Sequence, residues 1–103
     1  MRFLVKATVP NATGNARMLD GTFVPRLQSA LEDIKPEAAY FTAEGGCRTA
    51  YLIVDMPDVS HIPAIGEPLF LAMDCELEIH PVMLPEDLMQ AEPAIAAAVQ
   101  KYG

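Results

Sequence analysis

At 103 residues, the chain is long enough for one hydrophobic core and too short for two, so one domain over residues 1–103 is predicted. Hydrophobic residues make up 51% of it, but no apolar run approaches the ~20 residues of a membrane-spanning helix, so a membrane is not an expected partner. The net charge of -7, with 7 basic and 14 acidic residues, argues against nucleic acid, because phosphate backbones are bound by clustered cations.

Cysteine content and the N-terminal residues indicate the compartment. Cys47 and Cys75 are too few for a disulfide scaffold and too far apart in sequence for a local zinc knuckle. The start, MRFLVKATVP, lacks the long apolar stretch and small-residue cleavage site of a signal peptide, so a cytoplasmic protein is expected. Because a small monomer has little interior, a second subunit is expected to cover part of the apolar surplus.

The first strand and the first helix are predicted from a change of period. Residues 2–9 alternate between two faces and end at a proline, which is typical of a strand, and the following NATGN is predicted to be a loop. A helical stripe then runs from about residue 22 to 34, through Phe23, Leu27, Ala30, Leu31 and Ile34. Pro25 fits the first turn of this helix, although helical structure starting near Gly14, with a break before Pro25, is an alternative.

A hairpin follows the first helix. Residues 38–43 and 48–56 predict its two arms, joined through EGG, whose glycines can adopt positive φ. Asp58 or Ser60 is expected to cap a second helix, which Pro68 should kink or split.

The remaining elements are a fourth strand and a terminal helix. The stretch ELEIHPVML, residues 76–84, is typical of a strand with Leu77 and Ile79 opposite its charged residues. After Pro85 an acidic start and the alanine-rich AEPAIAAAVQKYG predict a C-terminal helix, which is expected to be ordered and docked.

The order of these elements predicts a ferredoxin-like α+β fold. Strand, helix, strand, strand, helix, strand is the split βαβ order, an antiparallel four-stranded sheet with both helices on one face. The opposite face of the sheet then remains open. Two chains can cover their open faces mutually and close a barrel, so a homodimer is expected.

The chain resembles the dimeric α/β-barrel superfamily, which includes muconolactone-isomerase-like and antibiotic-biosynthesis-monooxygenase-like proteins. It is more closely similar to a family of small bacterial proteins with no assigned function. The resemblance covers nearly the full length and is carried by FLVKATVP, IKPEAAYF, DVSHIPAIGEPLF, HPVMLPEDL and AIAAAVQKYG. It implies a dimeric barrel, and it leaves function open because members of the superfamily include enzymes, haem-handling proteins and ligand-binding modules.

The polar residues of the open face are the candidate site. Glu78 and His80 are two positions apart on one strand, so the carboxylate can orient and charge the imidazole for acid/base catalysis. Lys6, Tyr40 and Tyr51 are predicted on the same face, where they could bind a ligand or stabilise an oxyanion. The favoured alternative is structural: charges at a dimer seam are commonly satisfied by cross-strand and intersubunit pairing.

Glu67, in the apolar stretch IGEPLF, is a further candidate ligand-binding residue. Its carboxylate could face a pocket with a raised pKa, although a place on the wet side of the helix is the favoured interpretation. His61 and His80 show no characteristic spacing for a metal, so no metal site is predicted. No phosphate loop, nucleophile elbow or dinucleotide fingerprint is present, and no cofactor is expected.

Three functions remain compatible with the sequence. One is a small homodimeric protein that binds a small organic molecule in a pocket of the barrel. Another is an isomerase or cofactor-free monooxygenase that acts on a small carbonyl or lactone substrate by acid/base chemistry. The last is a structural dimeric module without a ligand.

Overall fold

A four-stranded antiparallel sheet organises the chain in the computed structural model, which describes residues 1–103. Its strands are β1 (Arg2–Thr8), β2 (Ala38–Glu44), β3 (Cys47–Asp55) and β4 (Glu76–Val82), in the spatial order β2-β3-β1-β4. The helices are α1 (Asn11–Leu19), α2 (Phe23–Ile34), α3 (Ile62–Met73), α4 (Pro85–Gln90) and α5 (Glu92–Tyr102). This order and topology confirm the predicted ferredoxin-like α+β fold.

The core lies between one face of the sheet and helices α2 and α3. Val5 and Leu52 are cross-strand partners on the two central strands, and both are completely buried. Helix α2 covers them with Ala30 and Ile34, while α3 contributes a second set of buried side chains: Ile65, Leu69 and Met73. The alternation of each strand therefore puts its apolar residues under the helices. The other face of the sheet, called the open face, is not covered by α2 or α3.

Helix α1 corrects the sequence analysis, because NATGN is helical and not a loop. Pro10, with φ -57°, precedes the helix, and the Asn11 side chain donates to the carbonyl of Gly46 at 3.0 Å. Gly14 is buried, since its missing side chain lets the helix approach β3 closely. Tertiary contact thus outweighs the turn preference of asparagine and glycine.

The break between α1 and α2 lies before Pro25, as in the alternative that the sequence left open. Gly21 has a φ of 79°, and the Asp20 carboxylate accepts a hydrogen bond from the Thr22 backbone N–H at 2.9 Å. Pro25 lies in the first turn of α2, as predicted, and the helix ends at Lys35, whose φ of 52° is left-handed.

The hairpin turn is the predicted one. Gly45 and Gly46 connect β2 to β3 with φ values of 59° and 77°, which L-residues with a side chain adopt at a cost. Glu44 belongs to β2 rather than to the turn, so its side chain continues the alternation of that strand.

Helix α3 is continuous, so the expectation that Pro68 splits it is wrong. Asp58 caps a short 3-10 turn at Val59–His61, which leads into the helix. Pro68 removes the hydrogen bond that Ala64 would otherwise accept, and because Ala64 is exposed, water can satisfy its carbonyl.

The C-terminal segment is helical, as predicted, but it is not docked on its own chain. No residue of α4 or α5 is buried.

Across the chain, none of the helices is both long and apolar enough to span a membrane.

Replacing Leu52 with Ala tests the placement of the core. The substitution opens a cavity in the centre of the sheet, so the free energy of unfolding should fall by about 2–5 kcal/mol in urea titration. The matched control is Leu71→Ala on α3, where the side chain is 77% exposed, and its effect should stay within about 0.5 kcal/mol. Equal losses in the two variants would contradict this core.

Candidate functional site

Strand pairing brings the candidates predicted on the open face into adjacent positions. Tyr40 pairs with Tyr51, Tyr51 with Lys6, and Lys6 with Glu78, so one cross-strand row runs over all four strands. The neighbouring row on one side contains only polar residues, namely Thr42, Thr49, Thr8 and Glu76. The row on the other side is mostly apolar and contains Ala38, Ile53, Leu4 and His80. The open face is thus polar towards the hairpin turn and mostly apolar in this row, beyond which Arg2 pairs with Asp55 and Val82.

The polar half is organised by Glu44, which the sequence analysis did not select. Its carboxylate forms an ion pair with the Lys6 ammonium and accepts a hydrogen bond from the Tyr51 hydroxyl at 2.5 Å. The sequence contained a signal for Glu44 as a residue of the open face. Tyr40, Thr42 and Glu44 are spaced two apart, which puts all three on one face of β2.

These contacts fix the protonation states of the three groups. Hydrogen bonding to Glu44 raises the pKa of Lys6 and the pKa of Tyr51, while hydrogen bonds from Lys6 and then Tyr51 lower the pKa of Glu44. At neutral pH the cluster therefore holds an ammonium, a carboxylate and a neutral phenol. Lys6 is consequently a poor general base.

An open depression of about 440 Å³ adjoins this cluster. Its walls carry one cation, Lys6, against three carboxylates, which belong to Glu44, Glu76 and Glu78. Because one of the carboxylates is already paired with the cation, the depression has an excess of negative charge. It is suited to donors and cations rather than to anions.

Glu78 and His80 are neighbours, but water surrounds both in the single chain. The His80 Nε2 atom lies 3.7 Å from the Glu78 carboxylate, and the two side chains are 60% and 62% exposed. Glu78 lines the polar depression, whereas His80 lines no pocket of the chain. Any desolvation of this pair has to come from a second molecule.

Glu67 is separate from the other candidates. It is exposed on α3, on the helical side of the sheet, and it lines none of the pockets. This is the wet side that the sequence analysis favoured. Lys6, Tyr40 and Tyr51 lie on the opposite face, so Glu67 shares no site with them in one chain.

A second pocket, which sequence reasoning missed, lies on the helical side of the sheet. It has a volume of about 360 Å³ and opens between α1, α2 and the β2-β3 hairpin. Most of its lining is apolar: Val9, Met18, Phe23, Leu27, Phe41 and Ala50. The lining also includes Arg48, whose guanidinium is the cation of this pocket.

Arg48 is held by neutral partners. Its Nη1 donates to the Asn15 side-chain oxygen at 3.0 Å, and its guanidinium lies 5.7 Å from the centre of the Phe23 ring. A side chain at Gly14 would begin 2.7 Å from this Nη1, so the glycine leaves room for the guanidinium. None of the ion pairs in the chain involves Arg48, so its charge faces the pocket without a carboxylate partner.

A sequence signal for Arg48 existed. Arg48, Ala50, Leu52 and Val54 share the face of β3 that is turned towards the helices. A cation in such an apolar series departs from the pattern of a buried strand face. The departure becomes informative only when the partners of the guanidinium are known.

The buried thiol of the chain is unreactive, and its metal-ligating side chains are dispersed. Burial raises the pKa of the Cys75 thiol to about 11, so the thiol stays protonated and weakly nucleophilic at neutral pH. Side chains of His, Cys, Asp and Glu do not converge in groups of three or more that could hold a metal ion.

Comparison with known proteins adds little. No protein-family model matches the sequence, and no curated protein matches it. The chain is similar to part of the crystal structure of a formyltetrahydrofolate deformylase from Pseudomonas putida KT2440, with a TM-score of 0.48 and 12% identity. The match covers 80% of this chain and 29% of that one. At these values the likeness carries no argument about what this chain binds or does.

The lowered pKa of Glu44 predicts an acid dependence of stability. The ion pair with Lys6 contributes fully above the ordinary glutamate pKa of about 4.3, and it is lost as the pH falls through the lowered pKa of the folded state. Between about pH 5 and pH 3 the wild type should therefore lose more thermal stability than Glu44→Gln, which cannot titrate. Parallel melting-temperature profiles would show that the cluster does not form in solution.

Proposed function

We propose that the protein binds a small organic molecule in the pocket between α1, α2 and the β2-β3 hairpin. The observation that carries the proposal is an apolar pocket with an unpaired guanidinium in its wall. Its volume of about 360 Å³ lies in the range of pockets that hold small ligands, and such pockets are mostly apolar with a few polar groups.

Arg48 defines the class of ligand. A planar guanidinium binds a carboxylate through two parallel hydrogen bonds, and contact with an aromatic ring fixes its orientation beforehand. Phe23 and Asn15 provide that orientation, while the apolar walls favour an aliphatic or aromatic body. The ligand is therefore a compact organic acid whose carboxylate meets Arg48.

The open face has a different role in this proposal. Leu4, Ile53 and Val82 are each half-buried in the single chain, so they expose apolar surface next to one another. Two copies associate with their open faces turned towards each other as a homodimer. At ~25 cal/mol per Å² of apolar area, a standard interface offers a large gross gain, from which ordering costs are subtracted.

Replacing Arg48 with Gln tests the pocket. Calorimetric titration should show that benzoate and octanoate bind the wild type more tightly than benzyl alcohol and octanol do. Arg48→Gln should weaken the binding of the acids by about 10- to 100-fold, because a hydrogen bond to a charged group is lost. The affinity for the alcohols should not change.

Arg26→Gln is the matched control, because Arg26 donates to the Ala72 carbonyl at 3.4 Å and does not line this pocket. NMR shifts on adding benzoate should appear at Val9, Phe23 and Ala50. Acids that bind no better than alcohols, or an equal loss in the control, would refute the assignment.

A second candidate function, proton transfer on a small carbonyl or lactone, is favoured by the Nε2–carboxylate distance of 3.7 Å between His80 and Glu78. In this proposal the second copy covers the pair, and Lys6, Tyr40 or Tyr51 stabilises the oxyanion. Deuterium exchange next to the carbonyl of a simple γ-lactone, followed by NMR, should then stop in His80→Gln while the dimer persists.

The control for His80→Gln is His61→Gln, since His61 lies in the 3-10 turn before α3. If the wild type exchanges deuterium next to the lactone carbonyl only at the uncatalysed rate, this activity on lactones is excluded. A dimer weakened by His80→Gln, with no effect on exchange, assigns the pair a structural role at the seam.

A further inference from the structure

The C-terminal helices project from the body of the protein. The radius of gyration is 17.3 Å, whereas a compact domain of this length has about 13 Å. The longest dimension is 59 Å, and the other two are 28 and 19 Å. We call α4 and α5 together the C-terminal arm; none of its residues is buried.

The arm exposes apolar side chains that a solvated helix does not need. Leu88 on α4 and Ile95 and Val99 on α5 are 51%, 50% and 64% exposed, and the spacing of four places Ile95 and Val99 on one stripe of α5. Helix α5 has only 11 residues, and isolated helices of that length are marginal in water. The arm therefore requires a surface against which its stripe can pack.

We infer that the arm is exchanged between two copies of this chain, with its apolar stripe on the apolar row of the partner's open face. That row consists of Ala38, Ile53 and Leu4, followed by His80 on β4. The inference rests on the association of open faces proposed above, and it adds the element that completes the interface.

The position where the arm begins favours a second copy. The arm follows β4, and Val82, near the end of β4, pairs with Arg2 in the register next to that of Leu4. The arm of each copy thus starts at the edge of the open face, which is the face that the second copy meets. One chain carries both an unpartnered stripe and an uncovered row, and a two-fold arrangement covers both at once.

The size of the arm fits this arrangement. Stable interfaces involve roughly 20–30 residues on each side. Helices α4 and α5 contribute 6 and 11 residues, and the receiving row with its neighbours provides the remainder. The arm and the receiving row are therefore long enough to supply an interface of this class.

Charge argues against a lipid surface as the occupant. Acidic residues in the arm are Glu86, Asp87 and Glu92, and its one basic residue is Lys101. Helices that lie on membranes are rich in Lys and Arg on the polar face, since biological membranes carry anionic lipids. An acidic arm would be repelled from them.

Sedimentation and light scattering of the full chain over nanomolar to micromolar concentrations test the exchange. The expected result is a dimer whose dissociation constant rises at least 100-fold in the arm variant Val99→Asp and in the face variant Ile53→Asp. Val59→Asp is the matched control, because Val59 is 61% exposed in the 3-10 turn and should leave the dimer unchanged. Circular dichroism verifies that each variant folds.

A double-mutant cycle of Val99→Ala and Ile53→Ala then measures coupling between arm and face. If the two substitutions have non-additive effects on the free energy of dimer dissociation, the arm of one copy contacts the open face of the other. A dimer that persists unchanged in Val99→Asp, or additive effects in the cycle, overturns the exchange and leaves the face association standing. A full chain that stays monomeric at micromolar concentration overturns both, while binding of organic acids at Arg48 is judged separately by calorimetry.

Discussion

The two-sidedness of the sheet is the constraint on which the other features depend. Side chains of a strand alternate between its faces, so the pairing of β1 with β3 puts Val5 beside Leu52 on one side and Lys6 beside Tyr51 on the other. Helices α2 and α3 cover only the first side. A register shift by one residue would exchange the two sets, and the buried core therefore fixes the composition of the open face as well.

That constraint also explains why the two candidate sites differ in chemistry. On the open face, polar groups remain in contact with water and satisfy one another, as Lys6, Glu44 and Tyr51 do. On the helical side, apolar residues surround the one cation that breaks the pattern, Arg48. Lys6 already has a carboxylate partner in Glu44, whereas Arg48 has only the neutral Asn15, so Arg48 has more to gain from an anionic ligand.

Close packing of α1 makes the pocket possible. Without a side chain at Gly14, the helix approaches β3, and Asn15 reaches the guanidinium of Arg48. The same helix anchors to the hairpin turn through Asn11 and the Gly46 carbonyl. The walls of the pocket are therefore fixed by elements that the fold needs in any case, and a ligand would meet a largely preformed site.

The sequence by itself determined the fold class, the order of the four strands and the two helices that cover them, the hairpin turn at Gly45 and Gly46, and the shared face of Lys6, Tyr40 and Tyr51. Each follows from a local cause, either the period of apolar residues or the backbone freedom of glycine. Tertiary structure decided the helical state of NATGN, the role of Glu44 and the pocket around Arg48, because these depend on contacts between segments that are distant in sequence. It also decided that the arm projects from the body, since an amphipathic pattern requires a partner surface without specifying which molecule provides it.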